Sequence, residues 1–143
     1  MSSNKLKLEI PSRCIYLKLV ETAFWRYVKI NNLEGQIDSD YIVLALVEGV
    51  VNAIKHGNKN DIKKKVGVSL ILEKNIFKII IEDRGTGFNP DMIIDPTLEE
   101  NLSNKNGRGI FIMKELMDNI SYIFEGNRTT LIMEKEINIS RGV

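Results

Sequence analysis

The stretch Tyr41-Ile42-Val43-Leu44-Ala45-Leu46-Val47-Glu48-Gly49-Val50-Val51-Asn52-Ala53-Ile54 is apolar or glycine at every position except Glu48 and Asn52. Its length and apolar density predict a buried helix. The two exceptions stand four residues apart, which puts both side chains on one helical face. A carboxylate withdrawn from water is costly unless it is paired, hydrogen-bonded or close to a cation. Something polar is therefore expected beside that face, either a satisfied polar pair within the core or a ligand. His56 extends the same series by four more residues, and Gly57 is placed to stop the helix.

Working outward from this helix, Lys5 to Ile10 alternates charge with Leu and Ile, the pattern of a short strand. Pro11-Ser12 opens a second helical pattern that runs to about Asn32, with apolar positions at Ile15, Leu19, Ala23 and Trp25 to Val28. Asp38-Ser39-Asp40 offers N-caps for the Glu48 and Asn52 helix. Beyond the charged turn Asn58 to Lys65, Val66 to Leu72 and Ile76 to Ile81 are β-branched apolar runs around Glu73-Lys74-Asn75, a predicted hairpin. Arg84 to Asn106 is rich in Gly, Pro, Asn and Asp, and a long irregular segment in a compact domain is usually functional or disordered. Its part from Asn89 to Asn106 is expected to act as a lid. Gly107 to Asn119 resumes a helical pattern, and Ile120 to Phe124 with Thr129 to Ile137 predicts a second hairpin around Glu125-Gly126-Asn127. No internal repeat is present.

The 143 residues fit one domain spanning 1–143, long enough to bury a core. With 20 basic and 19 acidic residues the formal charge is +1, so nothing steers the chain toward nucleic acid or an anionic membrane. Neither direct nucleic-acid binding nor membrane association is expected. The single cysteine, Cys14, has no partner for an intramolecular disulfide, and it reads as a small buried hydrophobe on the first helix. Met1 to Pro11 lacks the apolar run of a signal peptide, and no apolar stretch reaches the about 18 residues of a membrane span. A cytoplasmic protein is expected.

Two turns carry glycines where ligands are often held. Asp83-Arg84-Gly85-Thr86-Gly87-Phe88 follows a strongly apolar strand, placing a carboxylate and two unrestricted backbone positions at a strand end. An ionised Asp accepts hydrogen bonds, as from the exocyclic amine of a purine; an ordinary turn is the alternative. Gly107-Arg108-Gly109 opens a helix, where free N–H groups and the helix dipole favour anions. Neither segment matches the phosphate loop or the strand-linked dinucleotide fingerprint.

Taken in order, Glu48-Gly49-Val50-Val51-Asn52-Ala53-Ile54-Lys55-His56-Gly57, Asp83 to Phe88 and Gly107-Arg108-Gly109-Ile110-Phe111-Ile112-Met113 resemble the N, G1 and G2 boxes of the GHKL ATPase superfamily. The stretches Asp95 to Leu102 and Met113 to Asp118 resemble its stand-alone anti-sigma-factor serine kinases of the RsbW type, and the resemblance spans nearly the whole chain. It implies the Bergerat fold, an α/β (α+β) two-layer sandwich with a mixed, mostly antiparallel sheet and helices on one face.

The resemblance also implies site roles. Asn52 is expected to coordinate Mg²⁺ bridging the phosphates of ATP, a role suited to an amide oxygen, and Glu48 to orient or deprotonate the attacking hydroxyl. Asp83 is expected to accept the adenine amine, with Gly85 and Gly87 letting the base approach. Thr130 on the last strand matches the family threonine that supports the adenine pocket, with Thr129 as the neighbouring alternative. Gly107 and Gly109 are expected to leave amides free for phosphate. Arg108, which stands where many relatives have Leu, is either a charge stabiliser in phosphoryl transfer or a solvated surface residue. Lys55 and His56 lie near phosphate in family terms, although a His at a helix end is more often a capping or packing residue.

The implied function is a serine/threonine protein kinase that uses ATP and Mg²⁺ to phosphorylate an anti-anti-sigma antagonist and alternatively sequesters a sigma factor. The alternative is a nucleotide-dependent regulatory binding module with little or no kinase activity. The chain carries no helical hairpin with a phosphorylatable histidine, so any phosphate acceptor is expected to be another molecule. A homodimer is implied too, to which Phe24-Trp25-Arg26-Tyr27 either contributes an interface or adds ordinary core packing.

Overall fold

The computed structural model describes residues 4–85 and 105–137, the side chains of 105–108 excepted. Gly87 and most of the expected lid therefore lie outside the described residues. In chain order the elements are β1 (Asn4–Pro11), a short 3₁₀ turn at Cys14–Tyr16, α1 (Leu17–Ile30), α2 (Ser39–Asn52), β2 (Lys65–Glu73), β3 (Ile76–Asp83), α3 (Lys105–Leu116), β4 (Asn119–Glu125) and β5 (Arg128–Glu136). The five strands form one sheet in the order β1-β2-β3-β5-β4. Each of its four pairings is antiparallel, so the mixed part of the expected sheet is absent among the described strands.

Both predicted hairpins form. Lys74-Asn75 joins β2 to β3 with Glu73 opposite Ile76, and Lys74 takes φ 55° to make so tight a reversal. Gly126 does the same between β4 and β5 with φ 56°. Alternation then assigns the two sheet faces. Phe77, Ile79 and Ile81 of β3 and Leu131 and Met133 of β5 are buried on the side covered by the helices. On the other side Lys7, Lys78, Glu82, Arg128 and Glu134 form exposed or half-exposed ion pairs, among them Lys7 with Glu82 at 3.5 Å and Lys78 with Glu134 at 3.7 Å.

α1 presents Val20, Phe24, Tyr27 and Val28 to the core, positions that share one face of a 3.6-residue helix. It ends where Asn31 returns a side-chain hydrogen bond to the Tyr27 carbonyl at 3.0 Å and Asn32 enters the left-handed region at φ 55°. This register differs from the expected one: Ile15 and Leu19 are exposed, and Cys14, in the 3₁₀ turn, is exposed rather than buried. Phe24 and Tyr27 pack on Phe77, while Trp25 is 41% exposed, so the aromatic cluster is mainly core.

α2 buries Ile42, Ala45, Leu46, Gly49 and Val50 and leaves Tyr41 and Leu44 exposed. It is therefore amphipathic, and Glu48 and Asn52 are half-buried rather than enclosed. α3 packs along this helix and covers the side that carries them. Helix α3 begins two residues before, and ends three before, the expected span, because Asn119 already pairs with Glu134 in the sheet. Among the described residues no helix is long and apolar enough to cross a membrane.

Candidate functional site

At the end of α2 the backbone widens into a single π turn, Ala53–Gly57, closed by the Asn58 N–H donating to the Ala53 carbonyl at 2.8 Å. Such turns often sit at functional sites. A residue advances less around the axis in a π turn than in an α-helix, so His56 leaves the line of Glu48 and Asn52. It is exposed, as is Lys55, and the expected stripe therefore stops at Asn52. Gly57 turns inward instead and is buried.

Gly57 packs directly on the carboxylate of Asp83, close enough that an added Cβ would lie 2.7 Å from even the farther oxygen. Asp83 is the polar end of the row Phe77, Ile79, Ile81 and is 4% exposed. The Gly85 N–H donates to its Oδ1 at 2.9 Å. Gly85 in turn has its Cα against the Gly57 carbonyl, which leaves no room there for a side chain. Burial pushes the Asp83 carboxyl above its ordinary 3.8; the Gly85 N–H, the charge of Lys64 and the Thr129 hydroxyl work in the opposite direction. Tyr122, behind it on β4, is raised to about 12 by burial and then by the charge of Asp83.

Thr129 is the direct cross-strand partner of Asp83. It is 2% exposed, and although its hydroxyl stands near enough to the carboxylate to favour the anion, it makes no formed hydrogen bond among the described residues. Thr130, the position expected to support the base, pairs with Glu82 and Ile123 and so points to the opposite face of the sheet. The structure thus brings Thr129, not Thr130, to the side of Asp83. Alternation within a strand makes the two positions exclusive.

The second half of the site lies one helical turn back. An added Cβ on Gly109 of α3 would stand 2.8 Å from Glu48 Oε2 and 3.6 Å from Asn52 Nδ2, so α3 approaches both polar side chains at a position without a side chain of its own. Gly107 and Arg108 belong to the first turn of α3; the Arg108 side chain is outside the described residues. Two clusters thus form at the C-terminal end of α2, Gly109 with Glu48 and Asn52, and Gly57 with Asp83 and Gly85. Asn58, Lys64, Thr129 and Tyr122 join them. Asn58 and Lys64 sit in a run of Asn and Lys that reads as a solvated turn, so nothing in their local pattern marks them.

Chemically, the site offers a buried carboxyl group beside a buried hydroxyl at one end. A carboxylate and an amide lie at the other, approached by the backbone of Gly109.

The buried carboxylate carries a stability consequence. Because its pKa is raised on folding, the folded chain holds this proton more tightly than the unfolded chain does. That contribution is present in full below pH about 4 and is lost as pH rises through the folded value. Asp83→Asn, whose amide can donate to Thr129, is expected to raise the Tm of the nucleotide-free protein at pH 7. The gap should close as pH approaches 4. A Tm difference that is absent at pH 7, or that widens in acid, would contradict it, and thermal melts from pH 4 to 8 decide.

Residues 10–135 match the family model described as the histidine kinase-like ATPase domain. An anti-sigma F factor of Geobacillus kaustophilus (strain HTA426) is 32% identical over 104 residues, covering 67% of this chain and 68% of that protein. One from Clostridium perfringens (strain SM101 / Type A) is 28% identical over 148 residues, covering 94% and 98%. Among solved structures, the RsbU and RsbW domains of a Mycobacterium tuberculosis protein superpose with a TM-score of 0.66 at 17% identity, over 94% of this chain and 32% of that one. The catalytic domain of histidine kinase ThkA superposes with a TM-score of 0.58 at 15% identity, over 95% and 96%. The two structural likenesses concern the fold. With the family model covering most of its length, the chain belongs to the histidine kinase-like ATPase family and is a relative of the anti-sigma F factors within it.

Proposed function

We propose that the chain binds ATP with Mg²⁺ and acts as a cytoplasmic serine/threonine protein kinase on an anti-anti-sigma antagonist, and that it sequesters a sigma factor in the alternative state. The observation that carries this reading is a buried Asp83 beside the Thr129 hydroxyl, packed on the π turn that ends the helix carrying Glu48 and Asn52. An unsatisfied buried polar atom and glycine-lined backbone fit a flat base with an amine edge, and half-buried oxygen donors fit a magnesium-bound phosphate tail. The anti-sigma F factor relatives support the partner class.

In this reading Asp83 accepts the adenine amine, and Thr129 takes the supporting role on the same sheet face. Asn52 offers its amide oxygen to Mg²⁺, and the free N–H groups at the start of α3, as far as Gly107, face phosphate, whereas Gly109, in the second turn, gives α3 its close approach to Glu48. Bound ATP with Mg²⁺ supplies the phosphoryl group and neutralises its charge. Glu48 orients the incoming serine or threonine hydroxyl and accepts its proton. Arg108 stabilises charge on the transferring group, and a homodimer is the proposed assembly.

The test is incubation of the purified chain with labelled ATP, Mg²⁺ and candidate antagonist proteins. Label appearing on an antagonist serine or threonine supports the kinase. Partner binding that differs between ATP and ADP without transfer supports the regulatory binding module instead. Asn52→Ala is expected to lose Mg²⁺-dependent affinity while retaining weak, metal-independent nucleotide binding, read by calorimetry with and without Mg²⁺. Wild-type affinity and Mg²⁺ dependence in that variant would return Asn52 to a packing role.

A further inference from the structure

Asn58 follows the glycine that packs on Asp83, is 1% exposed, and has every polar atom of its side chain engaged. Its Oδ1 accepts the Arg84 N–H at 2.7 Å. Its Nδ2 donates to Ser12 Oγ at 2.8 Å and to the Lys64 and Lys65 carbonyls at 3.2 Å each. The Ser12 hydroxyl donates in turn to the Lys64 carbonyl, and the Asn58 backbone N–H closes the π turn on Ala53. One residue thus joins the segment after β1, the entry to β2, the exit of α2 and the turn after β3.

We propose that Asn58 is a positioning residue for the nucleotide base: by holding the Arg84 N–H it fixes the Asp83–Gly85 turn against Gly57 and so fixes the direction of the Asp83 carboxylate. The inference rests on the reading of Asp83 as the adenine acceptor. Two consecutive N–H groups of this turn are each held by a side chain, Arg84 by Asn58 and Gly85 by Asp83. The turn and the carboxylate are consequently set together. Releasing Arg84 frees Gly85 to move, and Asp83 moves with its hydrogen bond. Because Asn58 also terminates the π turn, it ties the base end of the site to the helix that carries Glu48 and Asn52.

Ser12 separates positioning from general support. It belongs to the same buried network, hydrogen-bonding Asn58 Nδ2 and the Lys64 carbonyl rather than the Arg84 or Gly85 N–H. The experiment measures ATP and GTP affinity by calorimetry for wild type, Asn58→Ala and Ser12→Ala, together with amide hydrogen exchange of Arg84 and Gly85 in the nucleotide-free protein. Wild type is expected to prefer ATP. Asn58→Ala should bind ATP about tenfold more weakly, the scale of an unmade buried hydrogen bond, with GTP affinity little changed. Ser12→Ala should lower Tm and keep the ATP to GTP ratio. In wild type, the Arg84 amide should exchange as slowly as those of β3.

An Asn58→Ala protein that is destabilised like Ser12→Ala yet keeps its preference for ATP would overturn the inference alone. So would a wild-type Arg84 amide that exchanges at the rate of an open turn, a measurement that needs no variant to fold. A wild type without any preference for ATP would remove the adenine reading of Asp83, and this inference with it.

Discussion

Glu48→Gln is expected to reduce phosphate transfer to the antagonist by about 10² to 10⁴-fold, the range general-base assistance typically contributes, while ADP affinity stays near wild type. The amide keeps the shape of the carboxylate and its place beside Gly109. It has no capacity to take the hydroxyl proton. Glu48 is half-buried on α2, with α3 along one side, so the substitution leaves the core of α2 untouched. Single-turnover transfer measured beside calorimetric ADP binding separates the two effects. Transfer at the wild-type rate would mean that Glu48 is not the base and that positioning carries the reaction. Loss of both transfer and ADP binding would place it in nucleotide binding.

Gly85→Ala should weaken ATP binding by about a hundredfold and lower the melting temperature. The added methyl would overlap the Gly57 carbonyl and come to 3.0 Å from the Gly57 Cα. That obstacle is backbone held in the π turn, with no side-chain rotation to relieve it. The turn must therefore move off α2, which removes the Gly85 hydrogen bond that holds Asp83 Oδ1. Overpacking of this kind costs about 1–3 kcal/mol. An unmade buried hydrogen bond adds about 1–3 kcal/mol, and about 1.4 kcal/mol is tenfold in affinity. Gly67→Ala is the matching control: its methyl would meet Lys7 at 3.7 Å and Glu82 at 3.9 Å, ordinary contacts on the opposite face of the sheet. Wild-type affinity and Tm in Gly85→Ala would show that the turn relaxes freely and that its approach to Gly57 is incidental.

Both predictions depend on a polar line along α2 that was visible as two interruptions in an apolar run. The line ends one turn earlier than its spacing predicts. Continuing it to His56 assumed uniform α geometry, and the π turn at Ala53–Gly57 breaks that assumption by committing the Asn58 N–H to Ala53. The π turn is stabilised by what surrounds it, namely the Asp83 carboxylate against Gly57 and the bonds of Asn58 to Ser12 and Arg84, partners distant in sequence. A similar limit explains the first helix. Ile15 and Leu19 are apolar in a helical pattern, yet the face that packs on Phe77 runs through Phe24 and Tyr27.

The choice between Thr129 and Thr130 shows the boundary most sharply. Adjacent strand residues face opposite ways, so a motif that tolerates a one-residue offset cannot choose between them. Pairing of Asp83 with Thr129 puts that residue, and not Thr130, on the face of Asp83.

Period-two and period-3.6 patterning, tight-turn chemistry and the ordered glycine-bearing boxes are local properties of the chain, and from them came the two hairpins, the three helices, the family resemblance and the prominence of Glu48, Asn52 and Asp83. The placement of β5 between β3 and β4, the register that puts Thr129 beside Asp83, the seat of Gly109 over Glu48 and the four-segment clasp of Asn58 came from the folded chain alone. The physical reason is that each of these depends on residues separated by tens of positions, as Asn58 is from Ser12 and Arg84. Such contacts are selected by the simultaneous burial of apolar faces and the satisfaction of buried polar groups, which a local pattern does not encode.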